Sequence, residues 1–352
     1  MPLPLPRGHV PQSDLIEILE SSTTRLASLA SSKILICGAT GFVGTWLTST
    51  LLEANEEMNL GLEIVIVSRN RDLAIKKLAP RLSDPLTIVT GDLASDINPL
   101  LNLGHEFTHI VHLATPAVAS TGSLDANKSY ASTVQGARNM IDYAVEMVSP
   151  PVFLHTSSGG VYGKQPLSME RIPEGWVNEN LENEISAYGR AKLEAEGIIR
   201  QAGSDGIIRA ANPRLFAFLG PHLAMDAHFA VGNFMRDALA GQSINIEGNP
   251  ATTRSYLYPT DLIDWLLAIL VDPRNEVLHV GSSIPIRMSD LATDVSLTFD
   301  GIPISYLGLD VAPSNYVPET RVMESIYGVI QKIDCREGIR RWANWLKSVN
   351  SP

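Results

Sequence analysis

The stretch Lys33-Ile-Leu-Ile-Cys-Gly-Ala-Thr-Gly-Phe-Val-Gly44 (KILICGATGFVG) joins an apolar run to three glycines spaced three apart. Its first five residues read as a strand without polar alternation, the pattern of a strand buried on both faces. Similar runs follow at 63–68 (EIVIVS), 86–90 (LTIVT), 109–113 (HIVHL) and 152–156 (VFLHT). Helical patterns at 42–54, 71–78 and 125–148 lie between most of them. Strands separated by helices predict right-handed βαβ units and a parallel sheet.

Upstream of the first strand, Ser13 is placed to cap a helix reaching about residue 30, with Leu15, Ile16, Leu19, Leu26 and Leu29 as its apolar side. Downstream of 202 the alternation loosens. Residues 209–218 are apolar but carry Pro213, which argues against a regular central strand. Helical runs at 229–240, 260–271 and 336–349 and a short strand at 243–247 follow. The chain therefore reads as α/β: a doubly wound parallel sheet with a smaller mixed α/β C-terminal part. The divisions expected are 1–32 (tail and helix), 33–205 (the sheet domain) and 206–352 (a second part interleaved with it).

Bulk composition narrows the class. The 352 residues carry a net charge of −11, with 45% hydrophobic and 18% charged residues. That is an ordinary globular composition with enough chain for a large core. An acidic surface argues against nucleic acid as a partner. Two cysteines, Cys37 and Cys335, form neither a disulfide framework nor a metal cluster and suit a reducing compartment. The first eleven residues hold four prolines and no apolar stretch, so a signal peptide is not expected. No run approaches the length of a membrane span. The expectation is a cytoplasmic protein without metal and without membrane association.

Strand, glycine loop and helix in succession suggest a dinucleotide site. Gly38 permits the tight turn, Gly41 lets the backbone approach a pyrophosphate, and Gly44 lets helix and strand pack closely. The amides from Thr40 through Phe42 and Val43 then face the anion at a helix start. The alternative is a glycine-rich turn with no ligand. A site for NAD usually has an acid at the end of the second strand. Here that strand ends Ser68-Arg69-Asn70-Arg71, and Ser68 and Arg69 suit a 2′-phosphate instead, because a guanidinium donates two parallel bonds. NADP(H) is favoured on this reading, with NAD(H) the alternative and solvated arginines the third.

Tyr188 and Lys192 in Ser186-Ala-Tyr-Gly-Arg-Ala-Lys192 stand at i, i+4 on a helical pattern. A nearby ammonium favours the phenolate, which would bring the tyrosine into range as an acid or base. By itself such a pair is most often two exposed helix residues. A third stretch, Thr156-Ser-Ser-Gly-Gly-Val-Tyr-Gly163, follows the fifth strand and supplies hydroxyls.

Together these motifs resemble the extended short-chain dehydrogenases/reductases, the sugar-nucleotide-modifying branch known as the NAD-dependent epimerase/dehydratase family. The resemblance implies a Rossmann domain followed by a smaller substrate domain. Matching on Val161-Tyr162-Gly163 makes Ser158 the catalytic hydroxyl, beside the close neighbours Thr156 and Ser157. Tyr188 becomes the proton donor or acceptor, and Lys192 tunes it and holds the nicotinamide ribose. Asp92 and Leu93 of Gly91-Asp92-Leu93 would contact the adenine side, and Ala114 and Thr115 of His112-Leu-Ala-Thr-Pro116 would line the cofactor. Phe216 would pass near the nicotinamide. Asn233 in Gly232-Asn233-Phe234 and Arg254 in Arg254-Ser-Tyr-Leu-Tyr258 would bind the substrate pyrophosphate. A homodimer built on the helix carrying Tyr188 is usual in this family.

The same resemblance bears on the reaction. Family 4,6-dehydratases carry Asp-Glu where this chain has Gly159-Gly160, and UDP-glucuronate decarboxylases a glutamate at the second position. Reduction of a nucleotide-linked 4-keto-sugar by NADPH is the favoured expectation, with NAD-retaining 4-epimerisation second. UDP-galactose 4-epimerases have asparagine where this chain has Ala217, and a further arginine that has no counterpart at the matching place here, where Arg321 would substitute from another angle. A non-catalytic NADP-binding sensor or structural subunit is the alternative of another class. Such chains usually lack the tyrosine or lysine, whereas both are present here.

Overall fold

The computed structural model describes residues 10–78, 84–103, 106–114, 123–225, 229–308 and 310–350. The first half runs α1 (Gln12–Ala27), β1 (Lys33–Cys37), α2 (Phe42–Met58), β2 (Glu63–Ser68), α3 (Arg71–Leu78), β3 (Leu86–Thr90), α4 (Asn98–Leu101), β4 (His109–His112) and α5 (Ser123–Val145). It continues with β5 (Val152–His155), β6 (Ser157–Ser158), α6 (Leu181–Glu184), α7 (Ala187–Ser204) and β7 (Arg209–Leu215). The remainder is α8 (Ala230–Leu239), β8 (Ile244–Ile246), β9 (Thr253–Arg254), α9 (Pro259–Val271), β10 (Val277–Val280), β11 (Ile286–Arg287), α10 (Met288–Thr298), β12 (Ile304–Tyr306), β13 (Asn315–Tyr316), α11 (Arg321–Tyr327) and α12 (Cys335–Asn350).

The chain forms two compact units. The first comprises Met1–Val161, Ser186–Arg214 and Ile263–Leu278; the second comprises Tyr162–Ile185, Leu215–Leu262 and His279–Pro352.

The main sheet has the order β10-β7-β5-β4-β1-β2-β3, with β6 also on β7. β1 is parallel to both neighbours, Leu35 standing opposite Val65 and Ile110. From β1 the chain winds one way through β2 and β3 and the other way through β4 and β5. That reversal opens a crevice at the carboxyl ends of β1 and β4, where open α/β sheets bind ligands. The sequence dictates this arrangement: the central residues of β1, β2 and β4 are apolar and bury on both faces, and Leu35, Val65 and Ile110 join Phe153 and Tyr143 in one cluster.

β7 departs from the sequence expectation, because 209–215 is a regular strand despite Pro213. Its pairing with β5 runs only from Arg209 to Ala211, so the missing N–H of Pro213 falls beyond that ladder. At α1 the expected Ser13 cap is also corrected. The helix starts at Gln12 behind Pro11, whose φ of −55° is already set for the turn, and no side chain caps it. Its inner face is Leu15, Ile18 and Leu26, whereas Ile16 is 48% exposed.

α1 also explains an unusual feature of α2, whose Thr48, Ser49 and Thr50 are fully buried. α1 covers α2, and Gln12 bonds Glu53 at 2.7 Å. Ser22 and Arg25 converge on the buried Asp264 of α9. Asp264→Ala removes the acceptor that both donors share, and we expect a loss of about 1–3 kcal/mol in a denaturant titration. A midpoint equal to wild type would mean that the clasp is not needed.

The second unit has its own core, which includes Phe234, Met235, Leu291, Val295 and Trp342. Around it lie a small sheet of order β11-β9-β13 and the pair β12-β8.

Candidate active site

The glycine loop leaves β1 at the crevice. Gly38 has φ +90°, and a Cβ there would stand 2.8 Å from the Ala114 nitrogen. Only glycine meets both demands. At Gly44 a Cβ would come 2.2 Å from the Gly38 carbonyl oxygen, so α2 can start this close to β1 only without a side chain. Gly41 is the N-cap of α2, and no side chain caps the helix there. Phe42, Val43 and Gly44 form the first turn. The loop is thus a backbone cradle with an uncapped 17-residue helix behind it, the arrangement that suits a dinucleotide phosphate.

Around the cradle, the Thr40 carbonyl accepts a 2.8 Å bond from Lys77 of α3. Burial lowers the Lys77 ammonium from its usual value. Ser68 is buried, and its hydroxyl closes a turn with the backbone of Asn70, while Arg69 is exposed. Arg71 donates to the Ile88 carbonyl at 2.9 Å. Asp92 is exposed and accepts from the Ala94 amide at 3.1 Å. Leu93 is buried, and its carbonyl is held by Asn139 at 2.7 Å. Ala114 borders Gly38, and Thr115 lies outside the described residues.

Ser158, Tyr188 and Lys192 all belong to the first unit. β5 and β6 deliver Ser158, and α7 delivers the other two. Ser186 starts α7 by accepting the Gly189 amide at 3.1 Å, which fixes Tyr188 in the first turn. The Ser158 hydroxyl is hydrogen-bonded to the Tyr188 phenol and accepts from the Gly160 amide at 3.0 Å. A Cβ on Gly160 would stand 3.3 Å from Ser158 Oγ and 3.6 Å from the Tyr188 ring. Position 160 therefore faces the reacting hydroxyls, and it carries no side chain.

The expected lowering of the Tyr188 phenol is corrected for the protein's own groups. Burial pushes its pKa up, and the bond to Ser158 only partly opposes that. Lys192 Nζ donates to the Thr156 carbonyl at 2.6 Å. Lys192 is 2% exposed, and burial brings its pKa down from 10.5 to about 7, with Glu196 opposing. Glu196 is itself held by a two-pronged pair with Arg214 at 2.8 and 2.7 Å.

Lys192 makes stability depend on pH. Between pH 7 and 10.5 the unfolded chain holds a proton that the folded chain releases, so stability rises with pH across that window. Below it the cost of the buried ammonium is complete. Lys192→Met removes the cost, and its melting temperature should exceed wild type by roughly 2–6 °C near pH 6, the gap closing towards about pH 10. A gap independent of pH would assign the effect to packing.

Phe216, Asn233 and Arg254 belong to the second unit. The Phe216 ring packs between His279 and Tyr316, centroids 4.9 and 4.8 Å away. Asn233 on α8 accepts from Arg236 at 3.2 Å. The Arg254 guanidinium donates to the Thr253 and Ser314 carbonyls and to the Ser314 hydroxyl at 2.8–3.0 Å. Among the described residues no carboxylate pairs with Arg254, and burial lowers its pKa. Arg321 is exposed and pairs with Glu319 at 3.4 Å.

Lys77 and the strand-end histidines escaped the sequence reading. For Lys77 no local signal exists. His112 and His155 share the last position of consecutive strands, which was visible once the register was drawn.

The family model described as "NAD dependent epimerase/dehydratase family" matches residues 34–281. The chain is 29% identical over 318 residues to UDP-glucuronic acid decarboxylase 5 of Arabidopsis thaliana, covering 88% of each chain. The UDP-glucuronic acid 4-epimerase of Bacillus cereus, solved with UDP-glucuronic acid and NAD, superposes with a TM-score of 0.75 at 19% identity, over 90% of this chain and 99% of that one. A UDP-N-acetylglucosamine 4-epimerase from Methanobrevibacter ruminantium M1 gives 0.78 at 16% identity, over 91% and 99%. Among the described residues no helix is long and apolar enough to cross a membrane.

Proposed function

This chain belongs to the NAD dependent epimerase/dehydratase family, and from that premise we propose that it is an enzyme exchanging hydride at C4 of a nucleotide-linked sugar, with 4-epimerisation as its net reaction. The observation that carries the reading is Gly160. It faces Ser158 and Tyr188 at the place where an acid would serve decarboxylation or dehydration. With a nicotinamide as hydride acceptor and donor, the serine, tyrosine and lysine suffice for oxidation and re-reduction at one carbon. The relative named a decarboxylase shares the scaffold, but position 160 gives this chain no side chain for that chemistry.

The cradle of Gly38, Gly41 and Gly44 fits a dinucleotide, and Lys192 with Tyr188 would hold its nicotinamide half. When bound, the nicotinamide supplies the hydride acceptor and donor. Tyr188 takes the proton of the sugar C4 hydroxyl and later returns it. Ser158 holds the same oxygen in line through both steps. Arg254, whose acceptors among the described residues are neutral, would suit the diphosphate of a nucleotide sugar.

NAD is the cofactor named for the family and present in the B. cereus neighbour, and it fits a site that recycles hydride. A second reading, NADPH-dependent reduction of a 4-keto-sugar, is supported by Ser68-Arg69 and the absence of an acid at the end of β2. Denaturing the purified protein and identifying released nucleotide separates the two. Stoichiometric NAD supports the epimerase. An empty site that binds NADPH well ahead of NADH supports the reductase. A homodimer built on the helix that carries Tyr188 remains the expectation from the family resemblance, and light scattering tests it.

A further inference from the structure

Two histidines lie at the ends of the strands beneath Lys192, and the reaction above leaves them unused. His112 ends β4 and His155 ends β5, paired in register. Both are buried, 2% and 0% exposed, and their Nδ1 atoms are 3.0 Å apart. Burial, with the charge of Lys192, holds both pKa values far below normal, His112 at about 3, so both rings are neutral. A bond between two Nδ1 atoms requires opposite tautomers, one ring protonated at Nδ1 and the other at Nε2. His155 Nε2 is buried without a partner. A lone pair there costs less than a stranded N–H, so His155 carries its proton on Nδ1 and donates to His112.

Thr156 connects this pair to the site. Its amide donates to the His112 carbonyl at 3.2 Å, and its own carbonyl accepts the Lys192 ammonium at 2.6 Å. One residue thus receives its register from the histidine strands and passes it to the lysine. We propose that His112 and His155 are positioning residues for Lys192: their tautomer-locked bond pins the ends of β4 and β5 so that the Thr156 carbonyl meets the ammonium. The role in turnover rests on the function proposed above; the geometry does not.

Three variants test it. His155→Leu keeps bulk and loses the bond, His112→Leu does the same from the other side, and His155→Asn keeps a donor where Nδ1 stood. On a nucleotide sugar that wild type turns over, His155→Leu should lower kcat about tenfold or more with KM within about twofold. His155→Asn should return to within about threefold of wild type, and the double leucine variant should be no worse than either single one. A kcat for His155→Leu within twofold of wild type, or equal loss in Leu and Asn, overturns the proposal.

Nitrogen NMR on the free protein decides the matter without substrate. Labelled histidine should show two neutral rings of opposite tautomer, and two identical tautomers would overturn the assignment. Lys192 faces Glu196 and Tyr188 on its own helix and the two imidazoles from the strands. Its ammonium titration should move by about half a pH unit or more in His155→Leu and stay in His155→Asn. An unmoved midpoint in His155→Leu refutes the positioning role. Failure of every sugar as substrate, with these signatures intact, would reject only the proposed reaction.

Discussion

Tyr188→Phe is expected to lower kcat by about 10²–10⁴ while cofactor affinity stays within about threefold. The phenylalanine fills the same space, and the Ser158 hydroxyl keeps its bond from the Gly160 amide, so the oxygen-orienting group stays in place. What is lost is the phenol beside Ser158. Burial raises that phenol, and among the described residues no carboxylate contributes to its shift. Stopped turnover with wild-type NADH fluorescence titration would match. A variant with half the wild-type rate would return the chain to the class of binding proteins that keep the fold without the chemistry.

Gly44→Val is expected to abolish dinucleotide binding, by about 100-fold or more, and to destabilise the fold by several kcal/mol. Its Cβ would overlap the Gly38 carbonyl and stand 2.6 Å from the Ala39 Cα, both backbone atoms with nowhere to go. α2 would have to move off β1, taking the cradle amides with it. Gly175→Ala is the control, since nothing lies within 4 Å of a Cβ there. Calorimetric titration and thermal melting should separate the two. Gly44→Val with intact binding would mean the cradle is not where the dinucleotide sits.

The strands at 33–37, 63–68 and 86–90 were legible to the residue, because a short continuous β-rich apolar run is a local property of the sequence, even in β3, which lies at the sheet edge and is only partly buried. So was the segment that carries Tyr188 and Lys192, and the fall of Ser158 onto the same unit follows from motif order. Pro213 misled because a strand's tolerance of proline depends on which neighbour needs the N–H, and the register of β5 is not written in residues 209–215. α10 went unseen, since its burial faces a core gathered from distant segments. The phenol of Tyr188 was expected to fall because an ammonium stands one turn away. The structure commits that ammonium to the Thr156 carbonyl, and desolvation dominates. Lys77 on Thr40 and the bond between His112 and His155 belong to the same kind: contacts between residues far apart in sequence, visible only once strands have neighbours.

The first unit is assembled from three separate lengths of chain, the last being Ile263–Leu278. During synthesis, Ser158, Tyr188 and Lys192 all emerge well before that length does. The seat for Arg25 and Ser22, at Asp264, does not yet exist. The acceptor that anchors α1 through Ser22 and Arg25 therefore emerges only after roughly three quarters of the polypeptide, and an amino-terminal fragment that stops short of Asp264 lacks that anchor.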